Sequence, residues 1–288
     1  MPPADQAGDM LPLPVLLAVL LGALLHAAWN VGVRAGEDRR RETALVVAGA
    51  CVLSAFTLPF LDQPWVGSWP YLAATATVHV LYFSLVAAAY ARGSVALAYP
   101  LMRGVAPALV AVAAWLLLGE KLPPLGWLGV GAVCGGVLLM ARRQGVAGEA
   151  AAARLALANA LVVAVYTLID GVGVRLSGAP LAYTMWLFAL TATPSLLVLQ
   201  YRRGWAAWHA TAPEMRRALG AGACSIGSYA LALWAMTHAP VAPVAALRET
   251  AMLFGLVLAR IFLGERPGAL RWTAAGAIAV GAALLRLA

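Results

Sequence analysis

The chain has 288 residues, of which 63% are hydrophobic and only 11% charged, with a mean hydropathy of +0.84 and a net charge of +8. Soluble domains average about 45–50% apolar and about 25% charged residues, so this composition excludes a water-soluble enzyme or nucleic-acid-binding module despite the basic balance. Lys121 is the sole lysine, and the arginines sit between apolar runs rather than on one basic face. That pattern implies a lipid bilayer as partner and no nucleic acid.

Ten apolar runs, each near the roughly 20 residues that cross about 30 Å of hydrocarbon, follow in order: 11–33, 43–61, 69–91, 94–118, 123–141, 154–175, 180–200, 214–237, 241–263 and 269–287. Polar and Gly/Pro punctuation separates them, as at Asp62-Gln63-Pro64, Arg92-Gly93 and Pro123-Pro124. The runs are continuous rather than alternating, which favours helices over barrel strands. No Lys or Arg precedes Arg34, so the first run lacks the charged leader of a signal peptide and is expected to be retained as a transmembrane helix. Cys51, Cys134 and Cys224 lie far apart inside apolar runs and read as small buried hydrophobes. Trp65, Trp69, Trp127, Trp205, Trp208 and Trp272 stand near run ends as interfacial anchors.

The two halves resemble each other. Leu118-Gly119-Glu120 recurs as Leu263-Gly264-Glu265, and the same offset pairs Arg103 with Arg248, Trp127 with Trp272 and Gly131 with Gly276. Val31-Gly32-Val33-Arg34 recurs as Val172-Gly173-Val174-Arg175. These matches predict a duplicated five-helix unit, residues 1–145 and 146–288. An odd number of spans per unit turns the second copy upside down, and the arginines agree. Arg34, Arg39, Arg40 and Arg41 follow the first span, whereas its counterpart carries only Arg175. The next loop has none, whereas its counterpart carries Arg202, Arg203, Arg216 and Arg217. The positive-inside rule then puts the odd-numbered loops in the cytoplasm and both termini outside.

With Gly119-Glu120 and Gly264-Glu265 at the same junction of each half, the chain resembles the drug/metabolite transporter superfamily in its ten-helix EamA branch. Tyr99-Pro100-Leu101-Met102-Arg103-Gly104, His26-Ala27-Ala28-Trp29-Asn30 and the Gly-rich segment from Gly126 to Leu139 support the likeness, which spans nearly the whole chain. It implies an all-α membrane protein of ten transmembrane helices in two inverted EamA-type repeats, working as a multi-pass carrier of the cell (inner) membrane by alternating access. Related small multidrug exporters exchange protons through a carboxylate in their first helix. Here that helix has His26 and Asn30 and no acid, so that mechanism does not transfer; its repeat partner contains Asp170.

Charged groups at mid-membrane cost about 2.5–3.5 kcal/mol each on insertion scales, so they mark function first. Arg103 and Arg248 lie well inside matching spans and are candidates to grip a carboxylate or phosphate-type group with their planar forks. The competing reading is structural ion pairing with Glu249 and Asp170. Glu249 adjoins Arg248 but points about 100° away from it on a helix, so each needs a partner elsewhere. Glu249 and Asp170 are also the candidates for carrying a coupling proton. Tyr99 shares a helix face with Arg103. Tyr82, Tyr229, His26, Asn30 and His79 complete the substrate-binding candidates; Phe83, Ser225, Ser228 and Tyr166 share their polar stripes, for which interhelical hydrogen bonding is the plainer alternative. A hinge or site-lining kink is expected at Pro100. Gly119 and Gly264 are expected to cap helices, each following Glu accepting from the next helix's first turn. Gly131, Gly135 and Gly136 are expected to let helices approach closely.

The reading is a secondary transporter of a small anionic or zwitterionic metabolite, such as an amino acid or organic acid, driven by a gradient with proton coupling left open. No Gly-Lys-Ser/Thr phosphate loop is present, and no cofactor or metal is implied. The alternative is a proton-coupled multidrug or cation exporter. A membrane-embedded enzyme is disfavoured for want of acidic metal-binding clusters, and the oligomeric state is not encoded in any motif.

Overall fold

The computed structural model describes residues 11–34, 39–141, 147–204 and 210–288, and their regular structure is entirely helical. Ten long helices follow one another: α1 Leu13–Arg34, α2 Arg39–Thr57, α3 Trp69–Arg92, α4 Val95–Leu118, α5 Pro124–Leu139, α6 Glu149–Ser177, α7 Pro180–Arg203, α8 Ala212–Met236, α9 Val241–Phe262 and α10 Ala269–Leu287. Eight are long and apolar enough to cross a membrane; α5, of 16 residues, and α7, of 24, complete the expected set. α2 and α6 begin about one turn before their apolar runs, because a helix continues past the hydrocarbon for as long as charged residues have water to meet. Trp205 and Trp208 lie outside the described residues.

Local signals set the helix ends. Thr211 and Glu214 form a reciprocal capping box at the start of α8: the Thr211 hydroxyl accepts the Glu214 N–H at 3.4 Å, and the Glu214 carboxylate accepts the Thr211 N–H at 2.7 Å. Gly119 (φ +68°) and Gly264 (φ +66°) stand just beyond α4 and α9 in the left-handed region, as expected of C-caps. The backbone stays α-helical through Pro100 and Pro107, with Ala98 and Met102 packed against Ala89 and Ala156. A π turn, Ala114–Leu118, ends α4, and a 3-10 turn, Arg248–Thr250, interrupts α9.

α1 shows why these helices need both protein and lipid. Val15, Val19, Ala23, Ala27 and Val31 are buried one turn apart, whereas Leu13, Leu17, Leu21 and Leu24 face outward. A helix apolar all round has no water-facing side, so its outer stripe meets acyl chains. The repeats interleave rather than standing side by side. α1 packs chiefly on α8 and α9, and by the same inverted relation α6 packs on α3 and α4. One bundle is thus α1, α2, α8 and α9; the other is α3, α4 and α6, and α7 packs on α2 and α8 of the first as well as on α3 and α6 of the second. α5 and α10, the fifth helices of the two repeats, pack on each other.

Glycine makes that last contact possible, though not at all the expected positions. A Cβ on Gly136 would lie 2.8 Å from the Ala274 carbonyl, and one on Gly281 would lie 2.8 Å from the Gly129 carbonyl. Gly131 and Gly135 face open space. The close approach uses Gly129, Gly136 and Gly281, because only one side of α5 meets α10. Gly136→Ala is therefore expected to destabilise the protein by about 1–3 kcal/mol through overpacking, whereas Gly131→Ala is neutral or slightly stabilising. Thermal unfolding of the two purified variants checks the contrast.

Candidate functional site

Between the two bundles lies a cavity of about 580 Å³. One wall comes from His26 and Trp29 of α1, Thr43 to Ala50 of α2, Ser225, Ser228 and Tyr229 of α8, and Arg248 of α9. The opposite wall comes from His79, Tyr82 and Phe83 of α3, Arg103 of α4, Tyr166 of α6, and Leu187 to Leu196 of α7. His26 and Trp29 of α1 and Thr43 to Val47 of α2 lie in the halves of their helices nearest the odd-numbered loops, whereas the lining residues of α3, α7 and α8 centre on mid-helix, so the cavity extends from mid-depth toward that face.

The two arginines differ in their partners. Arg103 reaches across the cleft to Glu249, its Nε donating to Oε2 at 3.0 Å and its Nη2 standing 2.8 Å from Oε1. This two-point fork joins α4 of one bundle to the 3-10 turn of α9 in the other, and Glu249 is almost completely buried. Arg248 lies with its guanidinium carbon 4.8 Å from the centre of the Tyr229 ring. Among the described residues it makes no ion pair or hydrogen bond. Repeat symmetry explains the difference: Glu249 occupies the position matched by Gly104, so the first half has no acid to offer Arg248.

The remaining candidates divide in the same way. His26, His79, Tyr82 and Tyr229 line the cavity beside both arginines. His79 stacks on Tyr166 at 4.4 Å, and its Nδ1 donates to the Thr75 carbonyl at 2.8 Å. Tyr99 and Asn30 are not on the wall; the Asn30 amide is spent on the His26 carbonyl of its own helix at 2.8 Å. Asp170, fully buried, also lies off the wall. It accepts Tyr229 Oη at 2.5 Å and Tyr183 Oη at 3.3 Å, and so ties the bundles together beneath the cavity. Trp29, Thr43, Phe188 and Thr191 line the cavity without having been candidates. Phe188 and Thr191, three apart on α7, carry the same helical spacing as the stripes on α3 and α8, but no charged neighbour draws attention to them. Among the described residues no group of three or more His, Cys, Asp or Glu is placed to hold a metal.

The even-numbered-loop face is closed. Arg175, at the end of α6, pairs with Glu120 at 2.8 Å and donates to the carbonyls of Met236 (2.7 Å) and Ala239 (3.0 Å). Glu120 also accepts the Val241 N–H at 2.7 Å. This departs from the expected use of Glu120, which serves the start of α9 rather than the next helix, because the interleaved fold brings the α8–α9 junction beside it. Trp186 adds a hydrogen bond to Gln63 at 2.8 Å and packs in a tilted contact with Trp69. On the opposite face Arg41 pairs with Glu214, and Arg217 with Glu42 at 3.8 Å, and both pairs join α2 to α8 within one bundle.

The sequence model of the EamA-like transporter family matches residues 13–142 and again residues 151–287. No curated protein matches the sequence. Among solved structures, one described only as the crystal structure of a protein is similar over 95% of this chain and 96% of its own, with a TM-score of 0.72 and 21% identity, a likeness of fold.

Removing one partner of a buried ion pair leaves the other charge without compensation, at a cost of about 3–5 kcal/mol, whereas replacing both by apolar groups is often close to neutral. Glu249→Met and Arg103→Met are therefore each expected to lower thermal stability markedly, and the double variant to recover much of it. A double-mutant cycle on detergent-purified protein reads the coupling.

Proposed function

Since the chain belongs to the EamA-like transporter family, we propose that it is a secondary carrier of a small anionic or zwitterionic metabolite, such as an amino acid or organic acid, with Arg248 as the anchor for the anionic group. The observation that carries this reading is an arginine on the cavity wall with no carboxylate partner among the described residues. A guanidinium so placed gains from any anion that replaces lost water. Arg103, already bound to Glu249, supports the site and joins the bundles. The closed even-numbered-loop face, and a cavity that among the described residues extends toward the opposite face, correspond to one end of an alternating-access cycle. Placing the odd-numbered loops in the cytoplasm of a cell with an inner membrane makes this the inward-facing end.

Coupling belongs to the same reading. Glu249 and Asp170 each bridge the two bundles, so a proton on either would weaken a contact that must part when the opposite face opens. The multidrug-cation alternative has less support, because both acids are engaged and neither lies on the cavity wall.

In proteoliposomes challenged with amino acids, organic anions and organic cations, uptake of an anionic or zwitterionic compound is expected. Arg248→Ala should reduce it about 10- to 100-fold, the equivalent of a charge-assisted hydrogen bond worth about 1.5–3 kcal/mol. Uptake of cations alone, or normal uptake by the variant, would refute the assignment. The topology has its own check: in a cysteine-free background, Val66→Cys should react with an impermeant thiol reagent from outside and Met215→Cys only from inside. Val66 and Met215 are both exposed, so access depends on sidedness.

A further inference from the structure

We infer that the cavity is built for an organic monoanion with an aromatic or bulky apolar body, in preference to a zwitterion, a dianion or a cation. This rests on the reading of Arg248 as anion anchor and narrows it by counting the charges and surfaces that a ligand would meet.

Among the described residues two cations and no carboxylate line the cavity. Arg103 is matched by Glu249 through both ends of its fork, and Asp170 is held behind the wall by the Tyr229 and Tyr183 hydroxyls, which leaves Arg248 as the cation on the wall with no carboxylate in contact among the described residues. A single anionic group completes the balance. A second one would find no further cation on the described wall, and its desolvation would go uncompensated. A ligand ammonium fares no better. Glu249 and Asp170 are the nearby acids; one is held by Arg103, the other by two tyrosine hydroxyls, and both lie off the wall. An amino acid would have to bury its ammonium without a counter-ion.

The rest of the ligand would meet rings. Trp29, Tyr82, Tyr166 and Phe188 surround the space from four helices, and the Tyr229 ring both supports Arg248 and stands edge-on to Phe188 at 6.4 Å. Lying over the Tyr229 ring leaves the guanidinium N–H groups available to a carboxylate. Trp29 Nε1, on the same wall, is buried without a hydrogen-bond partner among the described residues and is a second donor for the anion or a neighbouring oxygen. A volume of about 580 Å³ holds a ring and a short carboxylate tail with room for a few waters.

Four probes sharing one phenyl group separate the alternatives by isothermal titration calorimetry on the full chain in lipid nanodiscs: 3-phenylpropanoate, phenylalanine, phenylsuccinate and 2-phenylethylamine, with propanoate as the ringless control. The expected result is that 3-phenylpropanoate binds at least tenfold tighter than each of the others. Arg248→Gln should lose at least tenfold of that affinity, and Arg248→Lys, which keeps the charge without the fork, should fall between. The wild-type series stands by itself if the Gln variant fails to fold. Equal or tighter binding of phenylalanine would overturn this inference and leave the carrier assignment standing. Equal binding of phenylsuccinate or propanoate, no binding of any probe, or an unaffected folded Gln variant would overturn it too. Preference for 2-phenylethylamine would remove both this inference and the anionic-substrate reading.

Discussion

The Arg103–Glu249 pair is the constraint around which the rest is arranged. Two opposite charges placed in a low-dielectric interior attract strongly, yet each has given up its hydration, so the pair is tolerated only with good geometry. Here the geometry is a two-point fork between helices of opposite repeats. It fixes how closely the two bundles meet at mid-depth and holds the interrupted segment of α9 against α4. It also cancels one of the two cations that the duplication placed inside the membrane. What remains at the cleft is Arg248 beside Tyr229, with no carboxylate partner among the described residues, and the functional reading follows from that remainder.

Inverted duplication creates two copies of every feature, and the interest lies where the copies diverge. Arg103 and Arg248 are equivalent by descent but not by environment, because Gly104 and Glu249 are equivalent too. A single acidic substitution in one copy converts a symmetric pair of cations into one ion-paired group and one with no carboxylate partner among the described residues. Divergence also separates the two helix-capping Gly-Glu turns. Glu120 reaches the α8–α9 junction and Arg175, whereas Glu265 stands 3.7 Å from Arg271 near the start of the next helix. The same motif therefore closes one face of the protein and braces a turn on the other.

Much of this was legible in the chain, because the solvent imposes a coarse rule: apolar length gives the spans, and arginine distribution gives their inversion. The ten helices and two-repeat architecture follow from those signals, and the charged positions at mid-span identify the cleft. What the one-dimensional pattern lacked was depth and rotation relative to partners. Tyr99 shares a helix face with Arg103 but not the cavity. Asn30 is four residues from His26 yet satisfies its own helix. Gly131 and Gly136 look alike in sequence, though only Gly136 meets α10. Phe188 and Thr191 carry no charge, and nothing in an apolar helix announces which side will face a cleft assembled from eight segments.

Interleaving has a consequence for biosynthesis. The ribosome delivers α1 to α5 before any of α8, α9 or α10 exists, so the early half waits in the lipid with its principal packing surfaces unfilled and Arg103 without its carboxylate. Native structure is thereby postponed until translation is nearly finished. A nascent chain stalled at the midpoint would present a bare guanidinium to the translocon, a mark by which quality control can tell it from the finished protein.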